Sequence, residues 1–159
     1  MNLNSLFEKQ KELDEYIAKE KGLDKKHTLE KITALSIELG ELMNEFPELF
    51  KFWSNKKNNR EKGLVEYVDA VHFALSIGID MGYTEHKYTK TIPKDMRMTY
   101  LGLQNILAIL AVTMDKRHLP TLFDYLITFG YQLGFTEQDV IKAYDEKNEI
   151  NYARQNSGY

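Results

Sequence analysis

Residues 64–79 read LVEYVDAVHFALSIGI. At ~100° per residue, Leu64, Val68, Val71, Leu75 and Ile79 fall on one tight stripe, so the stretch is expected to be a helix with that stripe as its core face. Glu66 and Asp69, spaced i, i+3, share a different face. Ala70, Phe73 and Ile77 occupy their sector, so the acidic face is itself partly apolar and is expected to pack on a neighbour. Upstream, residues 34–43 read ALSIELGELM and repeat the spacing with Glu38 and Glu41, which flank a broad apolar sector formed by Ile32, Leu35, Leu39, Leu42 and Phe46. Two acidic pairs therefore sit on two helices.

Prolines 47, 93 and 120 and glycines 22, 63, 82 and 134 cut the rest of the chain into helix-length pieces. A first helix is expected from about Leu3 to Lys21, with Leu6, Phe7, Leu13 and Ile17 on a broken apolar stripe and Gly22 closing it. The second runs from Thr28 to Phe46 before Pro47, and the third follows the polar run Asn55 to Asn59 and ends near Met81. Beyond a polar loop containing Pro93, a fourth covers about Thr99 to Lys116, and a fifth starts with Pro120 in its first turn and ends at Gly134. Thr136 followed by Asp139 forms a capping box for a last helix reaching at least Tyr152. No alternating segment competes as a strand. The fold class is all-α, a helical bundle with a four-helix core, and residues 1–159 form a single domain.

Composition narrows the function. The 159 residues contain no cysteine, which excludes disulfides, thiolate zinc sites and cysteine nucleophiles. A net charge of -3 with both signs spread along the chain lacks the basic footprint of a duplex nucleic-acid binder. The start, MNLNSLFEKQKELDEY, has no apolar core behind a basic stretch, and the most apolar window, Tyr100 to Met114, is interrupted by Gln104 and Asn105 and reads as a buried helix rather than a membrane span. A cytoplasmic protein is expected.

Two like-charged carboxylate pairs facing each other across a helix interface repel unless protons or a cation neutralise them. An all-oxygen ligand set favours Mg²⁺ or Mn²⁺, and Mg²⁺ held by a few carboxylates commonly shares its coordination with substrate phosphates. A solvated charged face is the bland alternative, and Asp69 with His72 also forms the carboxylate-x-x-His pair of di-iron bundles. No second such pair lies within another expected helix, since Asp24 with His27 and Asp115 with His118 fall at helix junctions, and His72 reads as a helix-packing residue. On the last helix, Lys147, Asn151 and Arg154 recur at i, i+4, i+7 and line one face, a clamp suited to a polyphosphate, since guanidinium forks phosphate oxygens and ammonium adds mobile positive charge.

The combination Glu38-Leu-Gly-Glu41, Phe50-Lys-Phe-Trp53, Glu66-x-x-Asp69 and Lys147-Asn-x-x-Asn151-x-x-Arg154-Gln-x-x-Gly158-Tyr159 resembles the dimeric dUTPase family, a branch of the all-α NTP pyrophosphatase superfamily that includes MazG-like enzymes. The acidic motifs indicate the superfamily, and the C-terminal motif with the tryptophan segment indicates the branch. The region from Tyr83 to Phe135 carries no matching motif.

The resemblance implies a homodimer that hydrolyses dUTP to dUMP and pyrophosphate, with Mg²⁺ held by Glu38, Glu41, Glu66 and Asp69. Glu38 would also orient or deprotonate the attacking water, so the reaction needs no covalent nucleophile. By the same matching, Lys147, Asn151, Arg154 and Tyr159 contact the phosphates, Trp53 lies near the base, Phe73 stacks on the deoxyribose, and the Gln10 amide reads uracil edges. Trp53 and Phe73 are equally readable as core aromatics, and Gln10, between Lys9 and Lys11, as a surface residue. The run Asn55 to Lys62 is either a lid over the triphosphate or a solvated linker. Three other functions compete: a pyrophosphatase for dCTP or another nucleotide, a helical partner-binding protein without catalysis, and a di-iron carboxylate protein. Some phage members of the family also act as ligands for repressors, so a repressor-type partner beside catalysis is a further expectation if the chain is phage-encoded.

Overall fold

The computed structural model describes residues 1–89 and 94–157, so Pro93 and Tyr159 lie outside the described residues. Among the described residues six α-helices follow one another: α1 (Asn4–Lys21), α2 (Thr28–Glu45), α3 (Arg60–Asp80), α4 (Met96–Thr113), α5 (Leu119–Gln132) and α6 (Glu137–Asn156). Short 3-10 turns at Pro47–Leu49 and Lys116–His118 complete the set, and no strand occurs among the described residues. None of the described helices is long and apolar enough to cross a membrane.

Local chemistry sets the helix ends. Gly22 closes α1 in the left-handed conformation, φ 62°, which glycine adopts without steric cost. The Asn59 side chain caps α3 by accepting from the Lys62 N–H, and Thr136 with Asp139 completes the capping box of α6. The sequence reading placed α4 three residues too late. Asp95 caps it by accepting from the Arg97 N–H, and the helix stops before Lys116 because Met114 turns left-handed, φ 48°, and donates its N–H to Leu110 O.

Helix α3 is the axis of the bundle. It packs against α1, α2, α5 and α6, while α4 rests on α2 and α5. The single core stripe expected for α3 therefore understates its burial. Tyr67, Ala70, His72, Ala74, Ser76 and Ile77 are buried as well, because four helices surround it, whereas Leu64 and Ile79 of the stripe are only half-buried near its ends. Helix α4 is the reverse case. Leu103, Leu107 and Leu110 are buried, but Leu101 and Val112 are exposed, so it is a surface helix and not the buried one expected from its hydropathy.

The chain leaving α3 is fastened to the bundle by polar contacts. His86 is buried with Nδ1 2.7 Å from the Tyr83 hydroxyl and Nε2 3.1 Å from Asp124 Oδ1, and Thr89 donates its N–H and its hydroxyl to the same Asp124 carboxylate. The Asn55–Lys62 stretch is similarly held. Lys57 pairs with Glu48 at 2.7 Å, Asn58 accepts from the Glu48 N–H, and the Asn59 N–H reaches Glu45 O, before Arg60 opens α3.

Candidate metal centre

The α2–α3 interface brings acidic residues of both pairs together. One carboxylate oxygen from each of Glu38, Glu66 and Asp69 lies within 4.8 Å of the other two. All three side chains are half-buried. Glu41 is exposed and stands outside this trio, since i, i+3 spacing leaves it ~60° around α2 from Glu38. From α6, Lys147 enters the site with Nζ 2.5 Å from Asp69 Oδ2.

The electrostatics follow from this crowding. Burial pushes the Glu38 carboxyl up to about 7, and repulsion from Asp69, Glu41 and Glu66 adds to the effect while Lys147 opposes it. Glu66 is raised by the same causes, burial first and then Asp69 and Glu41. Oxygen donors that must otherwise share protons suit a hard divalent cation, so the residues present fit Mg²⁺ or Mn²⁺. Glu38, Glu66 and Asp69 would hold it.

A family model described as dUTPase matches residues 2–159. The chain belongs to the all-α dUTPase family. No curated protein matches the chain. Membership carries dUTP diphosphatase activity in general, a nucleoside triphosphate pyrophosphohydrolysis, and the family generally uses a divalent metal.

The remaining residues indicated by the dUTPase motifs distribute unevenly. Phe73, one turn beyond Asp69 on α3, is half-buried. Lys147, Asn151 and Arg154 share α6, with Lys147 and Asn151 half-buried and Arg154 exposed. Trp53 is no core aromatic: it is 68% exposed and stands edge-on to Phe52, itself 95% exposed, with ring centroids 4.9 Å apart. Gln10 is not a surface residue. It is buried between α1, α3 and α6, where its Oε1 accepts from the Tyr144 hydroxyl at 2.8 Å and its Nε2 donates to Asp14 Oδ1 at 2.8 Å.

Sequence reasoning missed the residues around Gln10. Ser76 donates to Asp14 Oδ2 at 2.5 Å, and burial raises the Asp14 carboxyl while Ser76 and Gln10 pull it back. Tyr144 stacks on His72 with centroids 4.0 Å apart and planes 10° apart. His72 reads from the sequence as a helix-packing residue, and Asp14 left a trace too: with Gln10 at i, i+4 it shares the inner face of α1.

Proposed function

We propose that the protein is a Mg²⁺-dependent dUTP diphosphatase that hydrolyses dUTP to dUMP and pyrophosphate, acting as a cytoplasmic homodimer. The observation that carries this reading is the convergence of Glu38, Glu66 and Asp69 oxygens within 4.8 Å on two packed helices. A bound Mg²⁺ supplies charge neutralisation on phosphoryl oxygens and acidifies bound water.

The chain's own residues do the rest. Glu38, a carboxylate of the trio, is suited to orient the attacking water and take its proton. Lys147, Asn151 and Arg154 line the α6 face that would hold the phosphates, with Tyr159 beyond them in sequence. Glu41, on the rim, adds negative charge that favours cation binding. Phe73 offers its ring to the deoxyribose, and Trp53 supplies an exposed indole for the base or for a partner subunit. Exposed Ile37, Leu101 and Val112 on the neighbouring helices α2 and α4 support an interface between copies.

The test is product analysis after incubation with dUTP, dCTP, dTTP or UTP, each with Mg²⁺ and with EDTA, beside Glu38→Gln. Selective Mg²⁺-dependent formation of dUMP, lost in the variant, supports the proposal. Equal cleavage of several nucleotides replaces it with a broader pyrophosphatase, and cleavage of none leaves a partner-binding protein.

A further inference from the structure

Helix α4 carries two apolar stripes. Leu103, Leu107 and Leu110 are buried and form the stripe turned to the bundle, where α4 rests on α2 and α5. On the opposite side Met98, Leu101, Asn105, Ala108 and Val112 are all exposed, and their i, i+3, i+7, i+10, i+14 spacing confines them to an ~80° sector. Not one charged residue occurs from Met98 to Met114, although the outward face of a solvated helix ordinarily carries charge. The face continues onto α2. Ser36 Oγ donates to Gln104 Oε1 at 2.7 Å, which sets the exposed Ile37 beside the middle of the stripe.

The order of side-chain sizes along the stripe points to its occupant. Asn105 is at the centre, with Met98 and Val112 each seven residues away, Leu101 four before it and Ala108 three after. Laid antiparallel on a second copy about Asn105, the stripe sets Met98 against the other copy's Val112 and Leu101 against its Ala108, large against small, so the two helices stay evenly spaced. A parallel register sets Leu101 on Leu101 and Ala108 on Ala108 and leaves a void at the small pair. Opposed helix dipoles favour the antiparallel register as well. The Asn105 amide both donates and accepts, so it can pair with itself across a two-fold axis, and one such polar residue among apolar neighbours fixes the register. Size agrees: the 18 residues of α4 span about 27 Å and, with α2 alongside, a width of about 20 Å, on the order of 540 Å² per copy in projection against roughly 600 Å² per partner in the smallest stable interfaces. A lipid surface fits less well, because it selects basic flanks, whereas the exposed ends of this helix pair both signs, Asp95 with Arg97 and Asp115 with Arg117.

We propose that two copies of the chain associate through this face, α4 packing antiparallel on the other copy's α4 with Asn105 on Asn105 at the two-fold axis. Such an interface is self-complementary and closes at two copies. The inference rests on the homodimer reading above and gives it a surface and a register. It lays the other copy's α4 over Ile37, immediately before Glu38, and so against the outer side of the helix that brings Glu38 to the acidic trio.

The chain holds no cysteine, so introduced cysteines report the register directly. Under mild oxidation Asn105→Cys should link into a covalent dimer. Met98→Cys and Val112→Cys should each stay unlinked, because the antiparallel register holds like positions about 21 Å apart, well beyond the ~7 Å Cα separation that a disulfide spans. The double variant Met98→Cys/Val112→Cys should link. Ala108→Glu, a change at an exposed position, should keep its far-UV circular dichroism and sediment as a monomer, its dimer Kd raised at least about 100-fold. The cysteine variants keep the inference testable should Ala108→Glu fail to fold. Self-linking of Met98→Cys or Val112→Cys, or an Ala108→Glu protein that stays dimeric, overturns this interface while a sedimenting wild-type dimer leaves the homodimer reading standing. A wild-type protein that sediments as a monomer overturns the homodimer reading itself and leaves the face to a different protein.

Discussion

Lys147 Nζ lies 2.5 Å from Asp69 Oδ2, and the two side chains are only 18% and 15% exposed. This ion pair ties the C-terminal helix to the acidic site of α3, and it is the cation that partly offsets the crowded carboxylates. A mostly buried charge left without its partner is strongly destabilising, unlike a lost surface ion pair. Lys147→Met should therefore lower unfolding stability by about 1–3 kcal/mol in urea titrations and reduce kcat/KM on dUTP by about 10–100-fold. Saturating Mg²⁺ should restore more stability to this variant than to wild type. A variant as stable and active as wild type would remove Lys147 from the site.

The pH dependence has a definite sign. Glu38 sits near 7 in the folded chain against an ordinary 4.5, raised by burial and then by Asp69, Glu41 and Glu66, so the folded state holds a proton that the unfolded state releases. Its contribution to stability is fully present below about 4.5 and is lost as pH rises through about 7. Glu66 is shifted in the same direction. In EDTA the Tm should fall across this window, and the stabilisation given by Mg²⁺ should grow across it, because the ligands must be deprotonated to bind. Differential scanning calorimetry of wild type and Glu38→Gln checks this, and a flat wild-type profile would contradict the crowded-carboxylate picture.

The two glutamates of α2 should behave differently. Glu38 is in the trio, whereas Glu41 is exposed, stands outside it and raises Glu38 through its charge. Glu38→Gln should lower kcat by about 10²–10⁴-fold, the range for removing a general base. Glu41→Gln should mainly weaken Mg²⁺ binding, seen as a rise in the Mg²⁺ concentration for half-maximal rate with kcat reduced less than tenfold. Equal loss of kcat in both variants would place Glu41 beside the reacting atoms.

The core offers a prediction independent of the site. At Gly130 a Cβ would stand 2.5 Å from the Tyr67 hydroxyl and 2.6 Å from its Cζ, and Tyr67 is fully buried with that hydroxyl donating to Leu126 O at 3.0 Å. The ring therefore has little room to give. Gly130→Ala should lower stability by about 1–3 kcal/mol in chemical denaturation, despite alanine's better helix propensity. An unchanged midpoint would mean that α3 and α5 separate readily.

Much of the helical order was legible because the stop and start signals are local. Gly22, Pro47 and the Thr136–Asp139 box act within one or two turns of the backbone, so their residues suffice. The α4 boundaries were misplaced because they were set by apolar periodicity, in which neither the Asp95 cap nor the left-handed Met114 takes part.

The acidic pairs were visible as well, since i, i+3 spacing puts two side chains on one helical face whatever the fold. What the residues alone determined was thus the helices, their faces and the supply of carboxylates. Tertiary packing decided which faces meet. Periodicity gives an angle around one axis and says nothing about the neighbour, so the burial of α3 beyond its one apolar stripe, the trio that takes in Glu38 and leaves Glu41 at the rim, the exposure of Trp53 and the enclosure of Gln10 with His72 all depended on how α1, α2, α5 and α6 close around that helix.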